Sequence, residues 1–155
     1  MLLSTGLIKP TIGHSEREGQ DFDFSGQFMD LHGDRLGLSQ LRGKTIFINL
    51  WATWCPPCRA EMPHIEQLYQ KLGEREDIAF LMIALDDDFS KSTKFVKDKG
   101  FTFPVVHAAY GLNPSLQSQA IPTTLVVSPE GKVVFYQEGM SNFDTQEFRE
   151  FLMGW

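Results

Sequence analysis

The sequence predicts an α/β sandwich built on a mixed β-sheet. Two apolar runs, Ile46–Trp51 and Ile78–Leu85, read as strands buried on both faces, as parallel sheets require. An amphipathic helical pattern follows each run, which gives two βα units. A hairpin and a terminal helix come last and add antiparallel strands. The 155 residues suit one domain that buries about two-thirds of its unfolded surface.

Residues 1–20 carry Gly6, Pro10, Gly13 and Gly19 without apolar periodicity, so they read as an irregular lead-in to a domain over 21–155. Phe22, Phe24, Phe28 and Leu36–Leu38 lie among the turn residues Ser25-Gly26 and His32-Gly33-Asp34, predicting a short hairpin and an edge strand. After the strand Ile46–Trp51, Ile65, Leu68, Tyr69 and Leu72 repeat at i, i+3, i+4, i+7, and Gly73 ends that helix. The strand Ile78–Leu85 leads through Asp86-Asp87-Asp88 into a basic helix over Ser90–Lys99, closed by Gly100. Phe101–His107 suits a short strand, and Asn113-Pro114 resembles a helix cap followed by proline at the first helical position. Leu125–Val127, the Ser128-Pro129-Glu130-Gly131 turn and Val133–Tyr136 make a hairpin. Asp144 with Glu147 forms a capping-box-like start for a last helix whose Phe148, Phe151, Leu152 and Trp155 share one face.

Composition excludes several classes. Hydrophobic residues at 42% and charged residues at 22% are ordinary for a soluble domain, and 13 glycines with 8 prolines are too few for a low-complexity chain. A net charge of −6 argues against a nucleic-acid partner, which needs an excess of Lys and Arg. The longest apolar run, eight residues, falls short of the ~18 that a membrane-spanning helix requires. Met1–Gly6 has no basic n-region and no apolar stretch behind it, so it does not read as a signal peptide. The chain is then either a cytosolic protein or a mature or shortened form. Two cysteines exclude a multi-disulfide scaffold and a four-cysteine zinc site.

Those two cysteines lie in Trp51-Ala52-Thr53-Trp54-Cys55-Pro56-Pro57-Cys58, where a buried strand hands over to an amphipathic helix. Cβ atoms at i and i+3 on a helix are about 5–6 Å apart, close enough for a disulfide after modest adjustment. The free N–H groups and positive dipole end of a helix start stabilise a thiolate, which makes Cys55 the nucleophile. Cys55, nearer the loop, is expected to be the more exposed, leaving Cys58 to resolve a mixed disulfide. Pro56 and Pro57 each lack an N–H, so two potential donors to the Cys55 sulfur are missing. That weakens thiolate stabilisation and biases the pair towards reductase behaviour. A zinc half-site is the bland alternative, but His64 is the only nearby histidine and no second CxxC exists, so no metal is expected. A purely structural disulfide would close so short a loop that it adds little.

With these residues in hand the chain resembles the thioredoxin superfamily, through Trp-Ala-x-Trp-Cys-x-x-Cys after a buried strand. Arg59-Ala60-Glu61-Met62-Pro63 resembles the TlpA/ResA-like thiol–disulfide oxidoreductases. So do Leu38–Lys44, Ala120–Val127 and the Pro129–Lys132 turn, and the likeness covers residues 22–153. The resemblance implies a thioredoxin fold, a mixed sheet sandwiched by helices. It also implies an N-terminal β-hairpin extension and a βα-type insert, Phe89–Asn113, before a cis-proline. By the same resemblance Cys55 attacks, Cys58 resolves, and Pro122 is the cis-proline that faces the disulfide and presents the Ile121 backbone to an extended substrate. The sequence alone shows an Ile-Pro before a strand, which an ordinary trans bond also suits. Trp54, Pro56, Pro57, Ile121 and Pro122 are the expected substrate groove, with Trp54 an apolar rim.

Ordinary thioredoxins carry a buried aspartate where this chain has Asn49, and an amide cannot shuttle the Cys58 proton. Glu61 stands one helical turn after Cys58, where the TlpA/ResA-like group carries an acidic residue proposed for that work. The competing reading of Glu61 is a solvated carboxylate favoured by the helix dipole. Pro63 deprives the Arg59 carbonyl of its helical donor and is expected to kink the helix. Lys91, Lys94, Lys97 and Lys99 read as a solvated face and Asp86–Asp88 as solvated turn residues; His14, His32 and His107 carry no spacing signal.

The implied function is thiol–disulfide exchange with protein partners, including an upstream electron donor, by a monomer that needs no cofactor. Oxidase and isomerase roles stay open, because direction follows relative potentials. A peroxidase of the same fold normally has Thr or Ser where Ala52 stands, and a redox-silent binding module conflicts with the intact CxxC. The family usually works outside the cytoplasm behind a signal or anchor, and this chain shows neither.

Overall fold

Strand β3 (Thr45–Trp51) is buried along its whole length, and β4 (Ile78–Ala84) pairs with it in parallel from Thr45↔Ile78 to Trp51↔Ala84. The computed structural model describes residues 9–13 and 15–155, so the readings on residues 1–8 and on His14 fall outside it. Around the β3–β4 pair are β1 (Gln27–Asp30), β2 (Arg35–Gly37), β5 (Val105–His107), β6 (Thr123–Val127) and β7 (Val133–Glu138). They form one mixed sheet in the order β2-β1-β5-β4-β3-β6-β7. The helices are α1 (Pro56–Leu72), α2 (Phe89–Lys99) and α3 (Gln146–Met153). The Phe89–Asn113 insert supplies α2 and β5, and β5 joins the N-terminal hairpin to the core by pairing with both β1 and β4.

Alternation along β3 divides the core. Phe47 and Trp51 face the layer made by α1, α2 and α3, with Met62, Ile65, Leu68, Val96, Phe148 and Leu152 behind them. Ile46, Ile48 and Leu50 face the other side, which is covered by Phe22, Phe24, Leu38 and Leu116 from irregular segments and single 3₁₀ turns. The Asn113-Pro114 cap accordingly opens only the short turn Pro114–Leu116, because the Asn113 amide also donates to the Asp23 and Ser25 carbonyls. Helix α2 closes at Gly100, whose φ of 72° is a left-handed conformation that glycine adopts without strain.

Two local readings are corrected. The last helix is capped by Thr145, whose hydroxyl accepts from the Phe148 N–H at 3.1 Å, and not by Asp144. Asp144 instead takes Lys71 at 2.9 Å and Arg149 at 2.7 Å, tying α1 to α3, and those two cations hold it out of the capping position. Asp86 is not a solvated turn residue: it is 3% exposed and fully engaged in hydrogen bonds. Asp88 caps α2 through the Ser90 N–H, and the four lysines of α2 are exposed as expected.

Phe148 is the keystone of the helical layer, in edge contact with Phe47 and Phe135 and tilted against Phe143. Phe148→Ala is expected to cost about 3–5 kcal/mol in urea unfolding, from lost transfer energy and the cavity left behind. A loss below about 1 kcal/mol would mean that this layer is not packed as described.

Candidate active site

The CxxC pair lies where β3 ends and α1 begins. Cys55 is the N-cap of α1 and Cys58 sits in its first turn, with their Cα atoms 5.3 Å apart and their sulfurs joined. Both are buried, Cys55 at 3% exposure against 0% for Cys58, while Trp54, Pro56 and Pro57 around them are exposed. The Cys58 N–H donates to Cys55 Sγ at 3.3 Å. Positions 56 and 57 have no N–H, so the helix start offers this sulfur fewer donors than an ordinary one. On the other side the Ile121 carbonyl oxygen lies 3.8 Å from Cys55 Sγ, and the Ile121–Pro122 bond is cis. A carbonyl's negative end beside the sulfur further disfavours a thiolate. Trp54, Leu50, Leu85, Leu112 and Ile121 line an open groove beside the disulfide. Trp51, by contrast, is fully buried in the core.

A second hydrogen-bonded group fixes the loop before Cys55. Asp86, at the end of β4, accepts from the Thr53 N–H at 3.1 Å, from the Thr53 hydroxyl at 2.7 Å and from the Ser92 hydroxyl at 2.6 Å. The Leu85 N–H donates to the Trp51 carbonyl at 2.8 Å and continues the tie. The sequence marks Asp86 only as a turn residue and gives no sign of Thr53 or Ser92 as its partners, since they meet it only after folding.

Glu61 is 0% exposed, which rules out the solvated-carboxylate reading. One turn after Cys58, it points into the core rather than along the helix surface, and α1 runs through Pro63 as one helix. Its Oε1 accepts from Asn49 Nδ2 at 2.8 Å and its Oε2 from the Ser141 N–H at 3.1 Å. Asn49 Nδ2 also donates to Thr124 Oγ1 at 2.9 Å. Asn49 and Thr124 are partners in the β3–β6 register, so the sheet itself places this group. Burial pushes the Glu61 carboxyl up to about 8, against the pull of the Asn49 and Ser141 hydrogen bonds. Sequence reasoning reached Asn49 and Glu61 but missed Thr124 and Ser141. Among the described residues, no cluster of His, Cys, Asp and Glu is arranged to hold a metal ion.

A carboxyl that binds its proton more tightly folded than unfolded stabilises the fold at low pH. The contribution is complete below about 4.5 and is lost as pH rises towards about 8. The oxidised protein should therefore lose up to about 1.4 kcal/mol per pH unit across that window relative to Glu61→Gln. Urea titrations of both proteins check this, and parallel stability curves over the window would contradict it.

The family model described as Redoxin matches residues 18–151. The thiol-disulfide oxidoreductase ResA of Halalkalibacterium halodurans is 35% identical over 133 residues, covering 79% of this chain and 70% of that protein. ResA of Bacillus subtilis is 34% identical over 112 residues, covering 68% of this chain and 59% of that protein. Among solved structures, the thioredoxin domain of a Bacteroides vulgatus thiol-disulfide oxidoreductase superposes with a TM-score of 0.72 at 18% identity. That superposition covers 90% of this chain and 98% of the other, and it shows the thioredoxin fold. No helix among the described residues is long and apolar enough to cross a membrane. The chain belongs to the redoxin family, as a ResA-like thiol–disulfide oxidoreductase with its cysteine pair at Cys55 and Cys58.

Proposed function

We propose that the Cys55–Cys58 pair reduces disulfides in protein partners, with Glu61 as the base that frees Cys58. The Cys55 thiolate attacks a partner disulfide, forms a mixed disulfide and expels one partner thiolate. Glu61 then takes the proton from Cys58, and the Cys58 sulfur attacks Cys55. The internal disulfide forms and the second partner thiolate leaves. Two electrons have passed to the partner, and an upstream dithiol donor restores the pair.

The observation that carries this reading is the pairing of a weakly stabilised Cys55 sulfur with a buried carboxyl on the face of α1 that holds Cys58. A dithiol whose thiolate gains little from its surroundings is the stronger reductant. Burial raises the Glu61 carboxyl to about 8, close to the working pH, where a general base transfers protons best. Trp54, Pro56, Pro57 and Ile121 are the surface that receives the partner chain, with Pro122 buried behind it, and the partner's backbone pairs with Ile121. Residues 21–155 act as one domain and as a monomer, with residues 1–20 as a lead-in. The ResA-like resemblance supports work outside the cytoplasm.

Two rates test the roles. Iodoacetamide at neutral pH is expected to alkylate Cys55 before Cys58 in the reduced protein. Glu61→Gln should leave that alkylation nearly unchanged but slow resolution of a model mixed disulfide on Cys55 by roughly 10²-fold. The wild-type rate should rise with pH through a midpoint that belongs jointly to Glu61 and Cys58, and the variant should lose that rise. Faster labelling of Cys58 would reverse the cysteine roles, and wild-type resolution by Glu61→Gln would remove Glu61 from the mechanism.

A further inference from the structure

Glu61 changes protonation state in a place where water does not reach it, so its hydrogen-bond partners must suit both states. As arranged, Asn49 Nδ2 donates to Glu61 Oε1 at 2.8 Å and to Thr124 Oγ1 at 2.9 Å, which suits an ionised carboxylate. A neutral Glu61 carries an O–H, and a second donor pointed at it would leave one of the two hydrogens without an acceptor. The Asn49 Oδ1 is buried and has no hydrogen-bond partner. It is the one strong acceptor within the same side chain, facing away from the site where it would be needed.

We propose that the Asn49 side-chain amide is a positioning group that reverses about its Cβ–Cγ bond each time Glu61 gains or loses its proton. This rests on the reading of Glu61 as the proton acceptor for Cys58. With Glu61 ionised, Nδ2 donates to both Glu61 and Thr124. With Glu61 neutral, Oδ1 takes the place of Nδ2 and accepts from the Glu61 O–H and from the Thr124 O–H. The hydroxyl of Thr124 follows by turning its own hydrogen, since it both donates and accepts. The two ends of an amide have nearly the same shape, so the reversal disturbs no packing in the fully buried site. Either orientation leaves one amide end without a partner, which keeps the two states close in energy. An aspartate at position 49 has no N–H and cannot serve the ionised state.

The groups around Glu61 are few. Asn49 meets it from β3, with Thr124 behind from β6, and Ser141 meets it through its N–H from the segment before α3; none carries a charge. The Ser141 hydroxyl is engaged by the Gln137 amide. On α1 itself the titratable neighbours are Cys58 one turn before and His64 one turn after. The Ser141 N–H is a fixed donor to Oε2 in both states, so the proton belongs on Oε1, facing Asn49.

Nuclear magnetic resonance of the oxidised 155-residue chain tests this directly. The Glu61 side-chain carboxyl carbon reports its protonation, and the Asn49 Nδ2 protons report the amide's direction. Contacts from those protons to Thr124 should be strong above the Glu61 transition and lost below it, with one shared midpoint. In Glu61→Gln the pH response of the Asn49 amide should vanish. Asn49→Leu, which removes the donor without adding a second proton acceptor, should raise the apparent midpoint of Glu61 by at least about one pH unit, making mixed-disulfide resolution about tenfold slower at neutral pH. If Glu61 titrates while the Asn49 amide keeps its contacts to Thr124, the reversal is wrong and the role of Glu61 stands. If the Glu61 carboxyl does not change state at all, the reversal is likewise overturned. Wild-type resolution by Glu61→Gln separately removes the reading beneath it.

Discussion

A carboxyl group sealed from water one helical turn after Cys58 is the constraint around which the core beside the cysteine pair is arranged. Charging it inside the core is costly unless donors are already in place, and Asn49 and the Ser141 N–H supply only two. The balance leaves Glu61 near neutrality, with a midpoint of about 8, where an exposed glutamate would be ionised. Its position follows from the sheet. Asn49 reaches Glu61 because β3 is central, and Thr124 reaches Asn49 because β6 lies beside it in register. The same strand, two residues later, delivers Trp51 to the core and starts the loop that ends at Cys55.

Two supports hold the cysteine pair from opposite sides. From β4, Asp86 fixes Thr53 and so sets the loop that leads to Trp54 and Cys55. From the segment before β6, the Ile121 carbonyl oxygen lies 3.8 Å from the Cys55 sulfur. Between them, the double proline withholds backbone donors that a helix start normally offers. Cys55 thus lies buried just beneath the exposed rim of Trp54, Pro56 and Pro57, with few donors to stabilise a thiolate.

Much of this was legible in the sequence because burial writes itself into apolar runs. The strands β3 and β4, the inward face of α1 and the N-terminal hairpin lie where the patterns put them. Motif spacing pointed to the Cys55–Cys58 pair, whose sulfurs are joined. The family resemblance pointed to a cis bond at Pro122, which is present, and to Glu61, which is buried one turn after Cys58. What could not be read depends on side chains that meet across long separations. Thr124 is 75 residues from Asn49, and Ser141 is 80 from Glu61, so only sheet order brings them together. Local competition hid the rest. Asp144 had the right spacing for a cap, but Lys71 from α1 claims it and Thr145 caps instead. Asp86 sits in a run of three aspartates that reads as solvent-facing, and only the packing of α2 against the Thr53 loop turns it inward.

The central claim is that the environment of Cys55 makes the pair a reductant, and the reduction potential of the Cys55/Cys58 couple tests it most directly. Equilibration against glutathione or dithiothreitol at neutral pH gives the value. Scarce donors to Cys55 and the facing Ile121 carbonyl predict a potential on the reducing side, roughly −250 mV or lower, near that of thioredoxin. A potential of about −150 mV or higher, close to a dedicated oxidant, would contradict the account and assign the pair to disulfide formation instead.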